Sequence, residues 1–432
     1  MAEVIPFRGI RYNTGQVPDI SAVVTPPYDV IDAAAQQKFY ERHPYNVIRL
    51  EYGRQFPTDD DTDNRYTRAA RDYRDWQHTG VLQQEQAAAI YLQEQLFQVN
   101  GAWYKRTGFF ARVALEEYAS GRIRPHEETL SKPKADRYAL LAACRANFSP
   151  VFSYYEDTGL TLEADFDRVK AAPPQLDIAD DDGVRHRLWV ITDPGIHRRL
   201  TATLRDRSLY IADGHHRYET ALNYYHAEQE RSPGASHLLM YLVNTSDPGL
   251  VILPTHRIVH SLANLDLALL KEGLQQDFTI ERIALPAPGQ VQKLLDKHQQ
   301  PGHTVLMMAT PEPAAYLLTL NDDTRVKQLA PRMSGAWCSL DVAVLQVLIL
   351  QKLLGLNQEQ LSQQENLTYT RGETEALQAA VSGQAQLSFI LNPTRIEQVT
   401  AVAAAGDKMP QKSTYFYPKI LTGLVINDLT SP

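Results

Sequence analysis

The sequence predicts a mixed α/β protein. Three observations carry that expectation. The middle third alternates short apolar runs with helix-length segments. An Asn-Gly pair at 100–101 joins two strand-like runs, the strongest short hairpin signal. Capping residues and Gly or Pro breaks punctuate the helical segments. At 432 residues the chain exceeds one small core. We expect a helical and extended region over 1–100, an α/β core over 101–260 and a further α/β region over 261–432.

In chain order, Thr25-Pro-Pro-Tyr-Asp-Val-Ile31 reads as a rigid extended piece, because each proline fixes φ and restrains its predecessor. Asp29 or Asp32 caps a helix running through Tyr40. A second helix spans 64–78 and stops at Gly80. Strands at 87–98 and 103–115 flank the Asn-Gly turn. A helix over 135–146 follows Pro133. Strands are expected at 151–155, 187–192, 209–212, 237–243 and 250–252, with a helix over 215–230. Further on, helices are expected at 265–276, 288–298, 340–353 and 372–382, and strands at 303–309, 315–320 and 386–391. Linkers are expected at 171–182 and 322–335.

Composition narrows the function classes. Hydrophobic residues at 44% and charged residues at 22% fit an ordinary soluble protein. A net charge of −8 gives no footprint for general nucleic-acid binding. The two cysteines, Cys144 and Cys338, build neither a disulfide framework nor a Cys-based zinc site, which fits a reducing cytoplasm. The N-terminus lacks a basic-then-apolar signal pattern. The apolar stretch 340–356 is short and interrupted by Asp341, Gln346, Gln351 and Lys352, so it reads as a buried helix and not a membrane span.

Three clusters carry candidate chemistry. In the first, an apolar strand ends at Asp213-Gly214 and a helix begins with His215, His216 and Arg217. Gly214 lets backbone N–H groups approach a ligand, and the helix start adds unpaired donors and partial positive charge. Three donor side chains favour a phosphate-type site, with Asp213 holding a metal ion or orienting a histidine, over the plain alternative of a strand-to-helix turn with Asp and Gly for geometry and a surface Arg. In the second, Arg122 and Arg124 precede His126-Glu127-Glu128-Thr129. A carboxylate beside a histidine can take a hydroxyl proton or hold a divalent cation; the same residues also serve simply to cap a helix. In the third, which runs from Lys408 to Lys419, Lys412-Ser413-Thr414 stands in a loop beside Tyr415-Phe416-Tyr417, fit to grip a phosphate or merely to be a solvated basic loop. For Asn147, Ser149, Asn244 and His256 we expect buried hydrogen-bonding roles. Walker, dinucleotide, zincin and nucleophile-elbow motifs are missing.

These pieces resemble the family of domains of unknown function numbered 1015. The matching stretches are Pro26-Pro-Tyr-Asp-Val-Ile31, Pro125-His-Glu-Glu-Thr129, Asp136-Arg137, Asn147-Phe-Ser-Pro150, Asp213-Gly-His-His-Arg-Tyr218 and Met409-Pro-Gln-Lys-Ser-Thr-Tyr-Phe416. The middle portion also resembles the ParB/sulfiredoxin-like superfamily, which includes free-serine kinases that carry an Asp-Gly-His-His-Arg turn and an upstream acidic base. That resemblance implies a mixed-sheet core with extensions at both ends. It implies a phosphotransferase with ATP or ADP as donor, a small hydroxyl acceptor such as serine, and Mg²⁺ held by Asp213 or Glu128. Phosphate contacts come from Gly214, His215, His216 and Arg217, with Lys412, Ser413 and Thr414 as further candidates. Glu127 is then the preferred base, with Glu128 the alternative that helix phase leaves open, and His126 and Asp213 stand beside it in catalysis. Other readings stay open: a phosphoserine-type phosphatase, a ParB-like nucleotide switch, or a metal hydrolase using His126, His215 and His216. No nucleic acid and no membrane is expected as a partner, and a homo-oligomer is left open.

Overall fold

The computed structural model describes residues 3–129, 131–228, 232–287, 289–298 and 303–430. The chain divides into two units: residues 1–125, 129–251 and 418–432 in the first, 126–128 and 252–417 in the second.

The first unit is built on a mixed sheet. Its strands are β1 (Val4–Ile5), β2 (Ile90–Val99), β3 (Ala102–Ala114), β4 (Ile123–Arg124), β5 (Val151–Tyr155), β6 (Leu176–Ala179), β7 (Arg185–Ile191), β8 (Leu209–Asp213) and β9 (His237–Asn244). Their order is β4-β8-β5-β9-β3-β2-β7-β6, and β1 pairs with β3 past the end of β2. The β4–β8 and β5–β9 pairs are parallel; the others are antiparallel. Asn100 and Gly101 take φ of 50° and 80°, the positive values that a two-residue hairpin turn requires. Residue 100 therefore lies within one hairpin, and both its strands share one sheet. The central strand β9 reads His-Leu-Leu-Met-Tyr-Leu-Val-Asn and is apolar on both faces, as a strand covered on both sides must be.

Helices cover this sheet. They are α1 (Ala33–Arg42), α2 (Ile48–Glu51), α3 (Arg65–His78), α4 (Ser131–Cys144), α5 (Glu163–Lys170), α6 (Pro194–Leu204) and α7 (His215–Glu228). Asp32, not Asp29, caps α1 by accepting from Ala35 N at 2.7 Å. Asn64 opens α3 with a reciprocal capping box to Thr67. Asp193 caps α6, whose Pro194 stands where no N–H is needed. Residues 229 and 230 of the expected helix lie outside the described residues. The core joins Ile90, Leu92, Phe109 and Ala111 to Leu200, Leu204, Ile211, Tyr218 and Ala221. The segment 418–430 returns here: Ile426 exchanges backbone bonds with Ile10 at 2.9 Å, and Asn427–Asp428 pairs with Ala146–Asn147.

The second unit carries an antiparallel sheet. Its strands are β10 (His256–Val259), β11 (Phe278–Ile283), β12 (Val305–Ala309), β13 (Ala315–Leu320), β14 (Leu367–Thr370) and β15 (Leu387–Ile390), in the order β11-β13-β12-β15-β10-β14. The helix expected over 340–353 splits into one turn at Asp341–Val344 and a π-helix at Leu345–Leu353. None of the described helices is long and apolar enough to cross a membrane. The expected linkers contain structure: 171–182 holds β6, and 322–335 holds the helix Thr324–Leu329.

Candidate active site

β8 ends at Asp213 after a register shift against β5, and Gly214 turns the chain at φ 96°. The first helical bond of α7 runs from Tyr218 N to Gly214 O at 3.0 Å. A helix start is in general a natural place for an oxyanion. A Cβ at residue 214 would lie 2.9 Å from Arg217 Nε, so only glycine fits both the backbone and the packed guanidinium.

Arg217 does not project toward a ligand, as the sequence reading expects. It is buried; Nη1 donates to Pro150 O and Nη2 to Asp213 Oδ2 at 2.8 Å. The other oxygen of Asp213 accepts from Lys419 Nζ at 2.8 Å. Burial pushes the Asp213 carboxyl up, but Lys419 and then Arg217 outweigh it and hold the group well below the usual carboxylate range. Each Asp213 oxygen faces one cation, Arg217 or Lys419, so the protein itself balances the carboxylate charge. Its place is between two cations, fixing both.

His215 is buried and His216 half-buried. Burial lowers the His216 pKa against the pull of Asp29 and Glu219, which favours the neutral imidazole at pH 7. Glu219, one turn further along α7, accepts from Thr129 Oγ1 and from Lys134 Nζ at 3.0 Å.

Below this turn lies a buried polar group centred on Glu51. Ser149 Oγ donates to Glu51 Oε1 at 2.8 Å, and Arg137 Nη1 donates to the same oxygen at 3.1 Å. Arg137 also holds Asp136 Oδ2 through Nε and Nη2, at 2.8 and 2.6 Å, and its guanidinium stacks 3.9 Å from the Tyr28 ring centre. Tyr66 and Arg65 bind the second oxygen of Asp136. Burial raises the Tyr28 phenol to about 12, with Arg137 pulling the other way.

Glu51 is absent from the sequence-derived candidates, and Lys419 stands at the end of the third cluster with nothing in the sequence to pair it with Asp213. Glu51 stands in Ile48-Arg-Leu-Glu-Tyr52, where nothing marks it, and Lys419 lies 206 positions from its partner. Ser149 and Asn147 do take the buried hydrogen-bonding roles expected of them.

The remaining candidates belong to the second unit. His126 is fully buried; its Nε2 pairs with Thr414 Oγ1 at 3.0 Å and its carbonyl accepts from Met409 N at 2.8 Å. That packing makes His126 a structural histidine, and it occupies the Thr414 hydroxyl. Ser413 is buried and donates its hydroxyl to Pro410 O, so it is not presented to a phosphate. Lys412 is exposed, with φ 55°. Glu127 is half-buried and Glu128 exposed. Among the described residues, no three His, Cys, Asp or Glu side chains cluster to hold a metal ion. His126 and Glu128 fall in the second unit, and His215 and His216 in the first.

No curated protein matches this sequence. Among solved structures, a free serine kinase in complex with AMP is 14% identical, with a TM-score of 0.34 over 73% of this chain and 92% of its own. A conserved hypothetical protein from Pyrococcus furiosus is 14% identical, with a TM-score of 0.34 over 73% and 95%. SbnI with a C-terminal truncation, from Staphylococcus aureus, is 12% identical, with a TM-score of 0.34 over 72% and 85%. These are distant likenesses. The family described as protein of unknown function, DUF1015, matches residues 4–343, most of the length, and the chain belongs to that family.

Proposed function

We propose that this protein is a nucleotide-dependent phosphotransferase acting on a small hydroxyl compound. The observation that carries the reading is the Gly214 turn, where a positive φ opens the start of α7 beside Lys419. The terminal phosphates of ATP or ADP would accept from the backbone N–H groups of that turn. Lys419 would leave Asp213 to meet a phosphate oxygen, and Arg217 would stay on Asp213 and Pro150 to keep the turn in shape. Neutral His216 supplies a further donor without adding a charge. Catalysis would come mainly from positioning and charge neutralisation, as in phosphoryl transfer generally. The acceptor oxygen attacks the terminal phosphorus, the bond to the leaving nucleotide breaks, and the hydroxyl proton passes to a carboxylate. We assign that carboxylate to Glu127 on the motif resemblance alone. Serine or a related hydroxy amino acid is the proposed acceptor on the same ground.

The test is a transfer assay with ATP or ADP and a panel of small alcohols, serine first, followed by ³¹P NMR. A new phosphate-ester signal is expected in wild type and a large loss in Glu127→Gln. Unchanged transfer in that variant removes Glu127 as the base. Slow nucleotide hydrolysis without any ester removes the transferase and favours a nucleotide switch.

A further inference from the structure

A cavity of about 490 Å³, partly open to solvent, lies wholly in the second unit. Pockets for small molecules are of this size. Its apolar wall comes from Leu262, Leu265, Leu269 and Leu270, in and just before the helix Leu267–Leu274, and from Leu353 and Leu354 at the end of the π-helix. A Cβ at Gly273 would lie 2.7 Å from Leu353 Cδ2, so the glycine lets the two helices touch and keeps both walls in place. A π-helix is rare and recurs at functional sites. Leu269 is 65% exposed, a large apolar side chain left to water where it lines the cavity.

The polar groups of the wall decide what fits. Asn366 Nδ2 donates to the carbonyls of His260 and Ser261, at 3.3 and 3.1 Å, and its Oδ1 accepts from Gln360 Nε2. Gln360 Oε1 accepts from Asn357 N at 3.0 Å. These amides are spent on the protein itself. Among the described residues that line the cavity, Asp266 alone is charged. Its Oδ1 caps the helix by accepting from Ala268 N and Leu269 N at 2.8 and 3.1 Å, and its Oδ2 accepts from no described residue. The lysines of the two helices are paired elsewhere, Lys271 with Glu312 at 3.0 Å and Lys352 with Asp277 at 2.6 Å. The helix start adds partial positive charge, which Asp266 covers, and the end of the π-helix adds partial negative charge. The cavity is thus apolar in its body and negative at its edge.

We propose that this cavity binds a small organic cation with an aliphatic body, its ammonium meeting Asp266 and its chain lying against the leucines. The proposal stands apart from the Gly214 turn, which belongs to the first unit.

Competition on the full-length protein tests it. The protein is loaded with the neutral fluorescent probe N-phenyl-1-naphthylamine, and octylammonium, octanol and octanoate compete for it at neutral pH. Octylammonium is expected to bind about threefold more tightly than octanol and about tenfold more tightly than octanoate. Asp266→Asn keeps the cap, because asparagine caps as well as aspartate, and should level octylammonium with octanol. Leu265→Trp fills the cavity from a position outside any helix and should abolish probe binding at an unchanged melting temperature. If that variant melts early, Asp266→Asn decides alone. Equal affinity for octylammonium and octanoate, or an unchanged charge preference in Asp266→Asn, overturns the cation. Wild-type probe affinity in a folded Leu265→Trp overturns the cavity as the site. Failure of octylammonium to compete overturns the proposal outright; a dimer in sedimentation that Leu269→Asp dissociates would then assign the leucines to a second copy of the chain.

Discussion

Lys419 and Gly214 each do something no neighbouring residue can. Lys419 is the cation that moves between Asp213 and a bound phosphate in the proposed reaction. Lys419→Ala should therefore weaken ADP binding about tenfold or more by calorimetry, and wild-type affinity would take Lys419 out of the phosphate site. Gly214→Ala meets both a positive φ of 96° and the Arg217 guanidinium, so it should cost about 1–3 kcal/mol in urea unfolding. His256 makes the acid side of the stability curve. Its buried Nδ1 accepts from Leu391 N at 3.2 Å, which requires the unprotonated ring. Burial, with Arg257 next, lowers its pKa from 6.5 to about 4. A histidine depressed in the folded state binds its proton first in the unfolded state. Stability is thus full above pH 6.5, falls as pH drops from 6.5 to about 4, and levels off below. The loss from this one group is about 3 kcal/mol. Denaturant unfolding from pH 7 to 4 should show it, and His256→Gln should flatten that limb. His216 and His237, lowered chiefly by burial, act in the same direction.

Elements with strong local signals are legible in the sequence. The Asn100-Gly101 hairpin, β5 at Val151–Tyr155 and β13 at Ala315–Leu320 stand where turn chemistry and apolar runs place them. The start of α3 is marked by Asn64, and Asn64→Ala should lower the melting free energy by about 1 kcal/mol through loss of its cap. Other elements have no such signal. The helix α6 follows Asp193-Pro194, a capping pair easily taken for a loop, and its apolar face of Ile196, Leu200 and Leu204 is spaced over few residues. Its weight is visible only in the core, where Leu200→Ala should cost about 2–5 kcal/mol. The strands β10 and β11 were hidden because their residues alternate weakly and gain identity only from the strands beside them. The same limit applies to the site. The Asp213-Gly-His-His-Arg turn could be found because its parts are contiguous. The inward turn of Arg217, the partner Lys419 and the carboxylate of Glu51 could not, because each is set by a contact between distant segments.

In the whole chain, the sequence-level expectation of a mixed α/β protein with a mixed sheet holds, and the family assignment covers residues 4–343. A ligand that binds only the folded form raises the melting temperature in proportion to the logarithm of its concentration once it is in excess. ADP should do so here, and a flat response across a hundredfold range would argue against nucleotide binding. The return of residues 418–430 to the first unit, against Ile10, Ala146–Asn147 and Asp213, has its own consequence. These pairings join segments far apart along the chain, so during translation the first unit stays incomplete until residues 418–430 have emerged from the ribosome. A nascent chain stalled before Lys419 would have the Gly214 turn and its loop, yet Asp213 would still lack one of its two counter-charges.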